Sequence, residues 1–327
     1  MSVDNAKYID AAVKRHYELN AEERRGHLGA SAIGNRCVRQ AWYGFRWAYH
    51  VRHTGRIHRL FNRGHEEEAR LTRWLRMAGC EIQDYAERLC YHNANNADTG
   101  IDPWYTCEDW STEYHGGEDV SHNPNHIALA TELGQGPKQW HFKDHQGHFA
   151  GSSDGRIRGG FLEDQLGLGS EWGGVEYKTH GDKSFKLLLK KGVVSSKPVH
   201  YVQMQIYMHY FDLPWCLYVS TNKNDDAIYM EVVYRKPELA LSYIDVAAKI
   251  INSDAMPVRI TEDPSWFECR FCDYRDICHK GKPVQKNCRS CVFAKPVDNG
   301  QWRCSHWNAT IPKEAIPSGC DNWTSIV

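Results

Sequence analysis

The stretch GVEYKTH, residues 174–180, sets a glutamate and a lysine two positions apart inside a short, partly apolar run. In an extended strand successive side chains take opposite faces, so Glu176 and Lys178 point one way while Val175 and Tyr177 point the other. Such a strand needs an apolar layer on one side and partners for a carboxylate and an ammonium on the other. An exposed ion pair is worth less than about 1 kcal/mol. The pattern is therefore either surface decoration or part of a site that other charged residues join.

The flanking sequence supplies a sheet for this strand. QWHFKDHQGHFAGSSDGRIRG (139–159) has two extended runs about the turn-like DHQG, and WCLYVSTNKNDDAIYMEVVYR (215–235) reads as a hairpin turning at NKNDD. Helical spacing is expected over 4–25, after Ser31 through Cys37, Ala41 and Trp42, over 63–77, 183–191, 198–211 and 237–252. Residues 92–138, rich in Asn, Gly, His and Pro, predict a long insertion or loop system. Helices and strands mix without internal repeats, so the expected fold class is α/β with a central sheet.

Asp154 stands in GSSDGRI where a strand ends, and Glu176 and Lys178 follow on a strand that can lie beside it. Two carboxylates with water suit a hard divalent cation. Such a cation neutralises phosphate charge, and a neighbouring lysine orients water or stabilises developing charge. Asp154 with Glu176-Tyr177-Lys178 resembles the PD-(D/E)xK nuclease pattern, with GSSD in place of Pro-Asp. GHEEEAR (64–70) is similar to the helix segment of phage exonucleases of the lambda kind, which places a metal-binding carboxylate at Glu68. Gln203 and Tyr207 in HYVQMQIYM match the Gln-x-x-x-Tyr helix of RecB-like members.

The resemblance spans roughly residues 30–280. It implies a restriction-endonuclease-like core, a mixed central sheet flanked by helices. Glu68, Asp154, Glu176 and the Tyr177 carbonyl would hold Mg²⁺ or Mn²⁺, and Lys178 would place water. The activity implied is DNA exonuclease action at single- or double-stranded ends, in recombination, repair or phage DNA processing. An endonuclease or flap trimmer, and a non-catalytic nucleic-acid binding module, are the alternatives. From the residues alone, Glu68 can instead pair with an arginine one helical turn away. Gln203 and Tyr207 can be ordinary packing, and His65 keeps a different spacing from the helix histidine of some relatives.

No apolar run approaches the ~18 residues that cross a bilayer, and the start MSVDNAKYIDAAVKR lacks a signal-peptide core. The expectation is a cytoplasmic protein of a bacterial or phage-infected cell, without membrane contact. Its twelve cysteines then stay reduced, and metal or cluster ligation leads the account of closely spaced ones. Cys269, Cys272 and Cys278 form C-x2-C-x5-C, and Cys37 stands alone upstream of the core. This one-plus-three arrangement resembles iron–sulfur nucleases of the RecB-like group, among them the CRISPR-associated adaptation and AddB-type nucleases. It implies a [4Fe–4S] cluster on Cys37, Cys269, Cys272 and Cys278, with Zn²⁺ in the same four thiolates as the alternative.

Cys288, Cys291, Cys304 and Cys320 form a second set in a turn-rich segment poor in aliphatic residues. It predicts a C-terminal metal module over 283–327, apart from a nuclease core at 1–282. Zinc is favoured there, a second cluster is the rival, and His306 is a substitute ligand. The tail either recruits a recombination or replication protein, grips DNA through Trp302, Trp307 and Trp323, or buries those rings as its own core. Cys80, Cys90, Cys107 and Cys216 read as small buried hydrophobes. His141, His145 and His148, in the first hairpin, are expected to be exposed imidazoles.

The chain has 40 basic and 41 acidic residues, so net charge alone asks for no polyanionic partner. From Lys14 to Arg63, however, eleven Lys and Arg face only Glu18, Glu22 and Glu23. DNA-backbone contacts are expected from Arg36, Arg39, Arg46, Arg52, Arg56 and Arg59, with Lys183 and Lys186 beyond the site. Each of these side chains is equally readable as part of a solvated surface.

Overall fold

The computed structural model describes residues 6–19, 24–87, 89–91, 104–106, 138–168 and 170–327. The loop system expected over 92–138 lies outside them, apart from Trp104–Thr106 and Lys138, and so does Cys107.

Chain order gives α1 (Ala6–Leu19), β1 (Leu28–Gly29), α2 (Ala30–Ile33), α3 (Val38–Phe45) and α4 (Gly55–Met77). Strands β2 (Cys80–Gln83), β3 (Tyr85–Glu87), β4 (Leu89–Tyr91), β5 (Trp104–Thr106), β6 (Lys138–Asp144), β7 (Phe149–Ser153) and β8 (Arg156–Gly159) follow. After α5 (Phe161–Leu166) come β9 (Gly173–His180), α6 (Asp182–Ser196), α7 (Pro198–Tyr210), β10 (Trp215–Asn222), β11 (Ile228–Tyr234) and α8 (Pro237–Asn252). The last segment holds α9 (Phe267–Arg270), α10 (Arg275–Lys280), β12 (Ala294–Pro296), β13 (Trp302–Cys304) and β14 (Ala309–Ile311).

Helix α4 starts ahead of the expected Arg63 because Thr54 caps it, its side chain accepting the Ile57 N–H at 3.4 Å. The five-stranded sheet runs β11-β10-β9-β8-β2. Only β9 and β10 pair in parallel; the other neighbours are antiparallel. Two-residue periodicity decides its faces. Val175 and Tyr177 join Leu71 and Leu75 of α4 in one apolar layer. Cys216 and Tyr218 on β10 join Met204 and Met208 of α7 in the opposite layer, which is the side that Glu176 faces. Mixed sheets flanked by helices match the expected α/β class.

A four-stranded sheet, β1-β7-β6-β3, stands beside it. Gly151 of β7 is needed where that sheet meets α7, since a Cβ there would lie 2.8 Å from a Tyr207 ring carbon.

The tail is not packed by itself. Its three-stranded sheet β12-β13-β14 contributes Ala294 and Trp302 to one apolar cluster with Trp42, Phe45 and Phe149. The division expected at 282/283 thus has a continuous core running across it. The hairpin histidines depart from expectation for the same reason. His141 is exposed, but His148 is fully buried, its Nε2 2.8 Å from the Val297 carbonyl. Its turn is pressed against the tail, and His145 lies 3.2 Å from the Ile244 carbonyl. Cys80 and Cys216 are buried, as expected.

Candidate functional site

Asp154 occupies the bend between β7 and β8, and its Oδ2 accepts the Tyr177 N–H at 2.8 Å. The bend is tight: Gly155 has φ +149°, and a Cβ there would come within 2.8 Å of the Gln83 carbonyl. Glycine is what lets β8 start so close to β2. Strand β9 is thereby pinned by its own backbone to the carboxylate expected to work with it.

Glu176 is fully buried, while its partner Lys178 keeps 26% of its side chain accessible. The Lys178 ammonium donates to Glu176 Oε1 and, at 3.0 Å, to the Tyr177 carbonyl. Burial would lower this lysine, but Glu176 and Asp154 outweigh it and hold the ammonium protonated. Burial pushes the Glu176 carboxyl up to about 8; Lys178 opposes this, and Asp154 and Glu68 add to it. The second oxygen, Oε2, is buried with no hydrogen-bond partner among the described residues.

Glu68 reaches the same place from α4. Burial pushes its carboxyl up to about 7, with Asp154 adding to the effect and Lys178 opposing it. Its neighbour Glu67 takes the role that one-turn spacing offers, pairing with Arg70 at 2.5 Å, and Arg70 also holds Asp226. Gln203 Nε2 donates to the Tyr207 hydroxyl at 3.1 Å, both side chains buried on α7. The Tyr207 phenol is raised by burial and then by Glu176. Glu68, Asp154, Glu176, Lys178 and the Gln203–Tyr207 pair are therefore one electrostatic neighbourhood.

Three residues outside the expected set belong to it. His180 follows Glu176 and Lys178 in the same two-residue alternation. Its Nε2 lies 2.8 Å from the Tyr218 hydroxyl, and His200 Nδ1 lies 2.9 Å from the same oxygen. Burial and then Lys197 lower His180 to about 4; burial and then Lys178 lower His200 to about 3, so both rings are neutral. Tyr218 stands in register opposite Glu176, and Ser220 opposite Lys178. The alternation was a sufficient signal for His180; Tyr218 and His200 needed the sheet register and the packing of α7.

Not all the expected DNA contacts face solvent. Arg39 is buried, with Nε donating to the Pro257 carbonyl at 2.5 Å and Nη1 to Cys278 Sγ at 3.5 Å. Arg46 is buried and donates to the Ala294 and Cys291 carbonyls at 3.1 and 2.7 Å. Both are corrected from DNA contacts to internal fasteners, because their guanidinium donors are used inside the fold. Arg36, Arg52, Arg56 and Arg59 are exposed, with Arg36 paired to Glu268 and Arg59 to Asp10. Lys183 and Lys186 are exposed, Lys186 bonding Asp182 at 2.8 Å.

Cys37, the N-cap residue of α3, lines one cavity with Cys269, Cys272 and Cys278. Burial raises the Cys269 thiol, and Cys37 and Cys278 add to it. Burial also pushes Cys272 up to about 11, with Cys37 and Cys269 contributing. Cys288, Cys291, Cys304 and Cys320 line a second cavity, with His306 on its wall. Among the described residues, no group of three or more His, Cys, Asp or Glu side chains is already drawn together as a metal-holding set. Each cysteine set surrounds a shared space without being closed around a point.

No family model and no curated protein matches the chain. Among solved structures, it is similar to the protein SSO0001, with 15% identity and a TM-score of 0.39, over 85% of this chain and 98% of that one. A complex of LHK-Exo with dAMP gives 14% identity and a TM-score of 0.38, over 75% of this chain and 90% of that one. The alkaline exonuclease LHK-Exo from Laribacter hongkongensis gives 17% identity, the same coverage and a TM-score of 0.29. The likeness to all three is distant. Among the described residues, no helix is long and apolar enough to cross a membrane.

Proposed function

We propose that this protein is a divalent-metal-dependent deoxyribonuclease that hydrolyses phosphodiester bonds at DNA ends. The observation that carries the reading is Glu176. A fully buried carboxylate with one oxygen unbonded among the described residues, within electrostatic reach of Glu68 and Asp154, is an unfavourable arrangement by itself. The donor set fits a hard cation, which would satisfy the free oxygen and hold all three carboxylates ionised. Glu68, Asp154, Glu176 and the Tyr177 carbonyl would hold Mg²⁺ or Mn²⁺. Such a cation supplies charge neutralisation for the phosphate and makes water a better nucleophile.

The remaining chemistry belongs to the chain. Lys178, cationic and partly accessible, is placed to hold the attacking water or a phosphate oxygen over Glu176. Asp154 fixes the strand that presents both, through its bond to the Tyr177 N–H. The water oxygen bonds to phosphorus as its proton passes to solvent, the ester bond to the departing nucleotide breaks, and that nucleotide's oxygen is protonated from solvent. The buried Gln203–Tyr207 pair orders the helix behind Glu176. Exposed Arg36, Arg52, Arg56 and Arg59 grip the DNA backbone.

Four thiols around one cavity also fit the [4Fe–4S] cluster that the sequence resemblance implies. Cys37 would close it from α3 and Cys269, Cys272 and Cys278 from the late segment, with Arg39 donating to Cys278. A crosslink over 232 residues, the separation of Arg36 and Glu268 beside it, would restrain the unfolded chain by up to roughly 5 kcal/mol.

Digestion of end-labelled linear DNA and closed circular DNA, with Mg²⁺ or Mn²⁺, tests the reading. Linear DNA is expected to shorten from its ends, circular DNA to persist, and Lys178→Ala to be inactive. Nicking of the circle would instead make the protein an endonuclease. No cleavage of any DNA by the wild type would leave a binding module and remove the hydrolytic reading.

A further inference from the structure

The tail's four cysteines sit in a segment that has few aliphatic side chains to stabilise it and is nevertheless locked to the core. Cys288 and Cys291 flank a tight turn in which the Cys291 N–H donates to the Cys288 carbonyl at 3.0 Å. Cys304 ends β13, and Cys320 approaches from the loop beyond β14. All four line one cavity, with His306 on its wall. The Thr324 N–H donates to Cys291 Sγ at 3.4 Å, a contact that favours a thiolate.

Two arginines at the seam point to the same charge. Arg289 is 1% exposed, its Nη1 donating to the Gly26 carbonyl at 3.1 Å and its guanidinium lying 4.6–4.8 Å from the Phe45, Trp47 and Trp302 rings. Its Nε and Nη2, and Nε of Arg46, are buried without hydrogen-bond partners among the described residues. Two buried cations therefore keep donors that no described group of the chain satisfies. A zinc ion in four thiolates carries net charge −2, and Arg46 already donates to the backbone of one of the four ligands.

We infer that Cys288, Cys291, Cys304 and Cys320 hold one Zn²⁺ as a structural tetrathiolate. We further infer that this centre fastens the tail, through Arg46 and Arg289, onto the C-terminal end of α3. Helix α3 would then be held at both ends by thiolate chemistry, since Cys37 caps its start and Arg46 its finish. The tail becomes part of the core's fold rather than a mobile recruiting arm.

The test uses the full-length protein as purified and needs no DNA cleavage, so its outcome is separate from that of the nuclease reading. Metal analysis should find one zinc per chain in the wild type, and Cys304→Ser/Cys320→Ser should lose it while iron stays constant. Co²⁺ exchanged into the wild type should give the intense visible bands of tetrahedral thiolate coordination, which covers the case of a variant that fails to fold. Stripping zinc from the wild type with a chelator should expose Lys286 and Arg289 to trypsin, releasing the tail. A wild type with no zinc and doubled iron and sulfide would replace this centre by a second cluster. Zinc retained by the double variant would place the ligands elsewhere. Zinc loss without tryptic cleavage at Lys286 or Arg289 would refute the fastening role.

Discussion

Replacing Glu68 with Gln should stabilise the metal-free protein and destroy its response to Mg²⁺. The folded state raises this carboxyl from its ordinary 4.5 to about 7, chiefly by burial and then by Asp154. A group whose pKa is raised on folding favours the folded state below its unfolded value, and that advantage is lost as pH climbs through the folded value. Wild-type protein in a chelator should therefore lose stability between about pH 4.5 and 7. At ~1.4 kcal/mol per pH unit the ceiling is about 3 kcal/mol. Glu68 keeps some solvent contact, so roughly 1 kcal/mol is the working figure. Glu68→Gln should accordingly melt about 1–2 °C higher than wild type at pH 8, and at the same temperature at about pH 4, where the carboxyl is neutral in both the folded and the unfolded chain. Mg²⁺ at a hundredfold excess over its Kd should add about 2.7 kcal/mol to the wild type and little to the variant. Thermal melts at two pH values, with chelator or Mg²⁺, make the comparison. Equal melting of both proteins at pH 8, or equal gain from Mg²⁺, would refute a shared cation on these carboxylates.

Lys178→Met should cut DNA cleavage by roughly 10²–10⁴-fold. It should also cost about 3–5 kcal/mol in the metal-free state by leaving Glu176 buried without its cation, and adding Glu176→Gln should restore most of that in denaturant titrations. Neutralising Arg52 and Arg56 should flatten the salt dependence of DNA binding by roughly 0.9 per lost phosphate contact. Arg46→Met should leave that slope unchanged and lower the melting temperature, as its donors serve the Ala294 and Cys291 carbonyls. Tyr177→Phe, which removes the 3.0 Å bond from Thr72, should cost about 1 kcal/mol of stability and report how firmly α4 is seated on β9.

Periodicity carried much of the architecture. The alternation in GVEYKTH specified a strand with one apolar and one charged face, and the structure sets Val175 and Tyr177 against α4 and Glu176 away from it. The spacing of DHQG and NKNDD likewise located both hairpins. Charge counts failed where burial decides. Arg36 and Arg39 lie three positions apart in one stretch, yet one is exposed and the other is enclosed against Pro257 and Cys278. Nothing local separates them, because the covering residues come from beyond position 250. The same limit hid His148, over whose turn Val297 and Trp302 fold back. In the run Glu66-Glu67-Glu68, composition offers three equal acids. It is the Arg70–Asp226 pair that draws Glu67 away from the carboxylates around Asp154.

The seam between residues 24–50 and the tail has a consequence for synthesis. Asn287 bonds the Trp47 carbonyl across 240 positions, and Gln285 receives the Arg24 guanidinium across 261. A nascent chain on the ribosome exposes the apolar side of Phe45 and Trp47 long before its cover has been translated. A message truncated just past Lys280 would encode Glu68, Asp154, Glu176 and Lys178 in full, and its product would still emerge with that surface bare, a substrate for chaperones and proteases before it ever met DNA.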